Sequence, residues 1–175
     1  MAASCQLLVD GYNIIGAWAS LKTARDRHSL EVARNQLIEI LINHSAVQGW
    51  VTDVVFDAQH QSQPTRALSH TDLLHVHFTD KSQTADSYIE FLCAEHKRQQ
   101  RRTRLIVATD DHLIRLMATG SGAEWFSSER LWQDVRRTQA QARFRDRHRE
   151  PPRPRVGQCL RPEVQAWLNQ RRKSP

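Results

Sequence analysis

No run of apolar residues in this 175-residue chain approaches the ~20 needed to span a bilayer. The opening Met1-Ala2-Ala3-Ser4-Cys5 lacks the charged start and long apolar stretch of a signal peptide. The expectation is a soluble, cytoplasmic protein. Cysteine is scarce: Cys5, Cys93 and Cys159 are odd in number, widely spaced and in no CxxC pattern, which supports neither a disulfide framework nor a structural zinc site. Glycine is scarce too, and none of the six forms a GxGxxG or GxxxxGK[ST] loop behind a strand, so no nucleotide cofactor is indicated. A hydrophobic fraction of 39% is low but compatible with a folded core, and the length suits about one domain with helices on both faces of a sheet.

The net charge of +6 conceals a division. Residues 136–175 carry twelve Lys and Arg against Asp146, Glu150 and Glu163, a balance of +9, whereas residues 1–135 carry thirteen against sixteen, a balance of −3. A basic tail on a mildly acidic body attracts polyanions, because each neutralised phosphate releases condensed counterions. A solvated tail without a dedicated partner is the plainer alternative.

Apolar runs at 6–10, 51–56, 74–78 and 105–108 predict strands, with a short last one at 123–126. Helical spacing predicts helices over 29–47, stopped by Gln48-Gly49, and from Ala85 through Tyr88, Ile89, Leu92, Cys93 and His96. Further helices are expected at 111–119, ended by Gly120-Ser121-Gly122, and at 128–149, ended by Pro151, Pro152 and Pro154. Residues 58–72, rich in Gln, Ser, His and Thr, read as a long loop. A short helix with Val164, Trp167 and Leu168 on one face is expected at 162–171. Strands alternating with crossover helices are the grammar of an α/β domain built on a parallel sheet.

Four carboxylates stand where strands hand the chain onward. Asp10 closes the first strand, Asp57 the second, Asp86 opens the helix after the third, and Asp111 follows the fourth. Parallel strands all end on one side of the sheet, so these acids would share one crevice. Two carboxylates about 4 Å apart repel by roughly 4 kcal/mol at an effective dielectric near 20, so a fold gathers several only if something offsets the repulsion. All-oxygen ligands suit Mg²⁺ or Mn²⁺, and such a metal facing solvent is a common apparatus for hydrolysing phosphodiesters. A metal-dependent nuclease is the first hypothesis.

Each acid also has an ordinary reading. Asp10-Gly11-Tyr12-Asn13 places a carboxylate and a carboxamide around a glycine that permits a tight turn, and is equally an Asx turn. Thr84 is a good helix cap, and Asp86 in the first turn is favoured by the helix dipole whatever its function. Glu90, four residues on, makes a like-charged pair that costs a few tenths of a kcal/mol unless a cation intervenes. In Thr109-Asp110-Asp111 either Thr109 or Asp110 can serve as the cap, Asp110 the better candidate, and Asp111 is favoured as the acid facing a metal. His70, His75 and His77 invite zinc but lack a recognised ligand spacing. His112 beside Asp111 reads as a surface residue. Trp18 is the tryptophan to test for base stacking, with core packing the stronger reading.

Leu7-Leu8-Val9-Asp10-Gly11-Tyr12-Asn13-Ile14-Ile15-Gly16-Ala17-Trp18 resembles the opening of the YacP-like proteins, a branch of the NYN domain family with a PIN-like nuclease fold. The likeness continues through Leu30-Glu31-Val32-Ala33-Arg34, Val54-Val55-Phe56-Asp57-Ala58, Thr84-Ala85-Asp86-Ser87-Tyr88-Ile89-Glu90 and Val107-Ala108-Thr109-Asp110-Asp111, covering about residues 6–135. The resemblance implies a PIN-like three-layer sandwich with a mainly parallel central sheet at 1–149, followed by a basic Pro/Arg-rich extension at 150–175. It implies RNA cleavage with Mg²⁺ or Mn²⁺, with Asp10, Asn13, Asp86 and Asp111 matching the acidic site and Asp57 and Glu90 as additional metal ligands. Asp110 stands where the family tends to have serine, which adds a charge.

The expected protein is a metal-dependent endoribonuclease acting on RNA, with the ribosome as a candidate partner. Arg98, Arg101, Arg102 and the tail would grip the RNA backbone, which gives affinity without sequence selection. One rival is a non-catalytic RNA-binding or ribosome-associated module. Another is a metal-dependent phosphatase, against which stands the lack of a second Asp two residues after Asp10.

Overall fold

The computed structural model describes residues 5–57, 68–80, 83–99 and 103–148. In order the elements are β1 (Cys5–Asp10), α1 (Gly11–Ala17), α2 (Ala19–Arg27), α3 (Leu30–Gln48), β2 (Val51–Phe56), β3 (Leu68–Thr71), β4 (Leu74–Phe78), α4 (Ala85–Arg98), β5 (Arg104–Ala108), α5 (His112–Gly120), β6 (Glu124–Phe126) and α6 (Ser128–His148). By backbone contacts the chain divides into two units, Met1–Ala142 and Arg143–Pro175, and all strands lie in the first. Among the described residues no helix is long and apolar enough to cross a membrane.

The sheet runs β3-β4-β2-β1-β5-β6. Five strands are parallel, and only the edge strand β3 runs antiparallel, to β4. The central strand β1 is flanked by β2 and β5, which explains its unbroken apolar character: both of its faces are covered. Leu7 and Val9 point into a core with Ile14, Leu37, Leu41, Phe56, Leu131 and Val135, while Leu8 packs on the other face with Val55, Ile89, Val107 and Ile114. The chain grows outward from β1 through β2 to β4, and then α4 carries it back to β5 on the other side. The strand order therefore reverses between β1 and β5, and in open α/β sheets the crevice at such a point is where ligands bind.

Two helices and one strand depart from the sequence reading. Residues 11–17 and 19–27 are helical, although Asp10-Gly11-Tyr12-Asn13 reads as a turn; Asp10 is the N-cap of α1, its carboxylate accepting from the Asn13 N–H. Part of the stretch expected as loop, Leu68–Thr71, pairs as β3, with a register shift between Ser69 and Thr71. The other elements fall close to expectation. Ser29 caps α3, and Gly49 ends it in the left-handed region at φ 68°, where a side chain would be strained. The 162–171 helix and the basic extension lie outside the described residues.

Trp18 belongs to the core. It is 5% exposed, its indole N–H donates to the Ser128 carbonyl at 3.0 Å, and its ring packs on Trp132. It has no free face for a base. Cys5 and Cys93 are free and buried, and burial pushes both thiols up to about 11.

On the α4 face a polar chain crosses the sheet. The buried Asp53 carboxylate accepts from Gln6 Nε2 at 2.8 Å and meets His77 Nε2 at 2.8 Å, while His77 Nδ1 lies 3.1 Å from the Tyr88 hydroxyl. Both His77 nitrogens are occupied, so His77 is not available as a zinc ligand. Asp53→Asn would set an amide N–H₂ against one of two donors, and the expected loss is about 2 kcal/mol of unfolding free energy in a urea titration.

Candidate active site

The carboxylates that end the strands do converge. Asp10, at the C-terminal end of β1, is 8% exposed. Its two oxygens accept from the Asn13 N–H and the Thr109 hydroxyl, each at 3.3 Å. Burial pushes its carboxyl up to about 6; Asp86 and Asp111 add to the rise, and the two hydrogen bonds oppose it. Asp86 sits in the first turn of α4, behind its cap Thr84. Its carboxyl is also raised, first by burial and then by Asp111 and Asp57. Each of the four acids thus repels at least one of the others across the mouth between β1 and β5.

Asp111 is the N-cap of α5, where a single oxygen, Oδ1, accepts from the Leu113 and Ile114 N–H groups at 2.7 and 3.1 Å. Asp110 turns the other way. Its carboxylate accepts from the Ser128 N–H at 2.8 Å and from the Ser128 hydroxyl, at the start of α6. Its extra charge is therefore spent on a helix N-terminus, where the dipole favours it. The Asp110 N–H in turn donates to Asn13 Oδ1 at 2.8 Å. That bond occupies the Asn13 oxygen and leaves its amide N–H₂ as the group to offer a water or a phosphate.

Neither Thr109 nor Asp110, the two cap candidates in the sequence, caps α5; Thr109 instead joins the two acids. Its buried hydroxyl donates to Asp10 and accepts from the Asp111 N–H at 3.0 Å, and its carbonyl accepts from the Trp125 indole at 2.7 Å. The signal available in the sequence was its place directly before two acids at a strand end. Thr109→Val keeps the shape and removes the link, and the expected effect is roughly a tenfold fall in any cleavage that depends on Asp10. Steady-state kinetics beside a thermal melt would separate this from loss of fold.

Glu90 is exposed, one turn along α4, and the group that feels its charge is the Cys93 thiol rather than the clustered acids. Its charge does not figure in the rise at Asp10 or Asp86. Arg98 lies twelve residues along α4 from Asp86, roughly 18 Å at 1.5 Å per residue, and pairs with Glu95 through bonds of 2.7 and 3.1 Å. It does not face the mouth. Arg101 and Arg102 lie outside the described residues. His112 is exposed, as a surface residue should be.

Among the described residues no three His, Cys, Asp or Glu side chains form a ready-made metal cage. The donor set is all oxygen, and the carboxyls of Asp10 and Asp86 are raised by burial and then by the acids beside them, a conflict that a hard divalent cation relieves. Mg²⁺ fits such an arrangement, since it keeps several waters and needs only one or two direct carboxylates.

Residues 7–173 match the family model described as the YacP-like NYN domain. The chain is 36% identical over 129 residues to the YacP protein of Bacillus subtilis (strain 168), covering 74% of each. The crystal structure of Rae1 (YacP) from Bacillus subtilis is similar at a TM-score of 0.68 and 30% identity, over 96% of this chain and 94% of that one. A tryptophan-to-leucine variant of the same protein gives 0.67 at 33% identity, over 82% of both chains.

Proposed function

The chain belongs to the YacP-like NYN domain family, whose α/β domain is of the nuclease type, and on that premise we propose that it is a metal-dependent endoribonuclease using Mg²⁺ or Mn²⁺. The observation that supports the reading best is the gathering of Asp10, Asp86 and Asp111 at the β1–β5 switch point, where their mutual repulsion adds to the burial that raises the Asp10 carboxyl to about 6. A fold bears that repulsion for a cation.

Asp10, Asp86 and Asp111 would hold the ion directly or through its waters, with Asp57 completing the shell. Once bound, the ion lowers the pKa of an attacking water and neutralises charge developing on the phosphate. The chain's own groups do the rest. Asn13, its oxygen held by the Asp110 N–H, would direct its amide N–H₂ at a water or a phosphate oxygen. Thr109 keeps Asp10 turned toward Asp111. Arg98, Arg101, Arg102 and the basic tail would hold the RNA backbone, through contacts that add affinity but not selection. The ribosome is a candidate presenter of the RNA, and the cytoplasm the compartment.

That the acids form no ready-made cage among the described residues leaves one other reading, an RNA-binding module that does not cut. Incubating purified protein with a mixed end-labelled RNA pool in Mn²⁺ or Mg²⁺, beside an EDTA control and Asp10→Asn, separates the two. Internal cuts that need metal and vanish in the variant support the nuclease. Binding by both proteins with cutting by neither, on free and ribosome-bound RNA alike, would leave the module.

A further inference from the structure

The mouth has a cation that the acids do not neutralise. Arg34 lies near the start of α3, half-buried, and its guanidinium is engaged by two neutral partners: it donates from Nη1 to the Tyr12 hydroxyl at 3.1 Å, and its Cζ lies 5.7 Å from the centre of the Phe78 ring. Among the described residues it has no carboxylate partner, although the body carries an excess of acids. A partly desolvated charge is costly unless paired, and neither a phenol nor an aromatic face cancels it. Four of the five guanidinium N–H donors remain for another ligand.

Its surroundings hold it in place. Tyr12 follows Asp10 by two residues and packs on Phe56 with ring centres 5.1 Å apart; Phe56 stacks on Phe78 at 5.5 Å. Phe56 ends β2 and Phe78 ends β4, so this aromatic ledge lies along the same sheet edge as Asp10 and Asp57. A planar fork seated on a rigid ledge beside an acidic mouth matches the geometry of a phosphodiester, which accepts two parallel N–H bonds.

We propose that Arg34, positioned by Tyr12 and the Phe78 ring, binds a backbone phosphate of the RNA strand next to the one being cleaved. This rests on the nuclease reading for the identity of the strand. Arg34 is then a substrate-binding residue and Tyr12 a positioning residue. An arginine at this edge also supplies what Arg98 cannot, a cation on the mouth itself.

The test measures binding of a short labelled single-stranded RNA in EDTA across a salt series, and cleavage kinetics in Mn²⁺, for wild type, Arg34→Gln, Arg34→Lys and Tyr12→Phe. Arg34→Gln should weaken binding about tenfold and flatten the slope of log affinity against log salt by about 0.7, the value for one lost phosphate contact on a single strand. KM should rise by a similar factor while kcat holds within about threefold. Arg34→Lys should keep the slope and lose part of the affinity, because the charge stays and the fork goes. Tyr12→Phe should cost about threefold at unchanged slope. If Gln at 34 lowers the melting temperature, Arg34→Lys decides: lost affinity at constant slope supports the contact, and wild-type affinity overturns it. RNA binding by Arg34→Gln with wild-type affinity and slope overturns the contact while leaving the nuclease untouched. Weakened binding with no cleavage by any form keeps the contact and sinks the nuclease; no RNA binding by wild type sinks both.

Discussion

Asp10→Asn is expected to melt higher than wild type at pH 7 without divalent metal, and to lose at least a hundredfold in RNA cleavage with it. The two effects have one cause. The Asp10 carboxyl is held up to about 6 in the folded protein, first by burial and then by Asp86 and Asp111, against an ordinary value of 3.8. Below that ordinary value the group is protonated folded or unfolded, and costs nothing. Between about 4 and 6 the unfolded chain gives up the proton while the folded protein keeps it, so folded stability falls as pH rises. Above about 6 both states are ionised and the full penalty stands, on the order of 3 kcal/mol at 1.36 kcal/mol per unit of pKa.

Asparagine removes that penalty. Its one oxygen can keep the α1 cap on the Asn13 N–H, while its amide N–H₂ then faces the Thr109 hydroxyl in place of an acceptor, so about 1 kcal/mol of the gain is lost in exchange. An advantage of about 2 kcal/mol is expected at pH 7, shrinking to nothing near pH 4. Mg²⁺ or Mn²⁺ should reverse the order, stabilising wild type by mass action and the variant far less. Thermal melts at pH 4, 5.5 and 7, with and without metal, give the whole pattern. A variant that melts at or below wild type at pH 7 without metal would show that the acids are not in electrostatic conflict.

The second large effect is on the fold. Gly11→Ala should destabilise the protein by about 3 kcal/mol or more, a core overpacking cost at the upper end of its usual range. A Cβ on Gly11 would lie 2.2 Å from Phe56 Cε1 and 2.5 Å from Cδ1, far inside contact distance. Phe56 cannot step aside, since it is fully buried between Tyr12 and Phe78. Shortening the ring should make room: Phe56→Leu combined with Gly11→Ala is expected to be more stable than the sum of the two single losses, by 1 kcal/mol or more in a double-mutant cycle. Simple additivity would mean that the α1 backbone moves instead.

Gly11 also shows where the sequence could be read and where it could not. Asp10 as a strand-end acid was legible, because a short apolar run followed by a carboxylate has one outcome in a parallel sheet. The reason for the neighbouring glycine was not: it reads as a residue that permits a tight turn, whereas it begins a helix and makes space for a ring 45 residues away. The same applies to the helices at 11–17 and 19–27, whose opening contains three turn-forming residues and which are secured by tertiary contacts such as the Trp18–Ser128 bond. Asp57, Asp86 and Asp111 were legible for the same reason as Asp10. Spacing and likeness put Glu90 beside Asp86, but the group that feels its charge is Cys93, and Arg98, read as a cation for the RNA backbone, pairs with Glu95. Arg34 lay inside a run noticed for its likeness to a family, but nothing local to it distinguishes a cation without an anion from any other arginine on a helix.

The bond between Thr109 and Asp10 spans 99 residues of sequence, and that separation has a consequence for the order of assembly. β1 can pair with β2, and β2 with β4, early, since those pairings use chain already at hand; the other edge of β1 waits for β5. A chain that stops before Leu105 contains Asp10, Asp57 and Asp86 but neither the Thr109 hydroxyl that bonds Asp10 nor Asp111 itself. Closing the last long loop is the slow step for such a topology. The acidic mouth is therefore incomplete throughout synthesis of the first hundred residues, and the competence proposed for it would arrive late and all at once, with the insertion of a single strand.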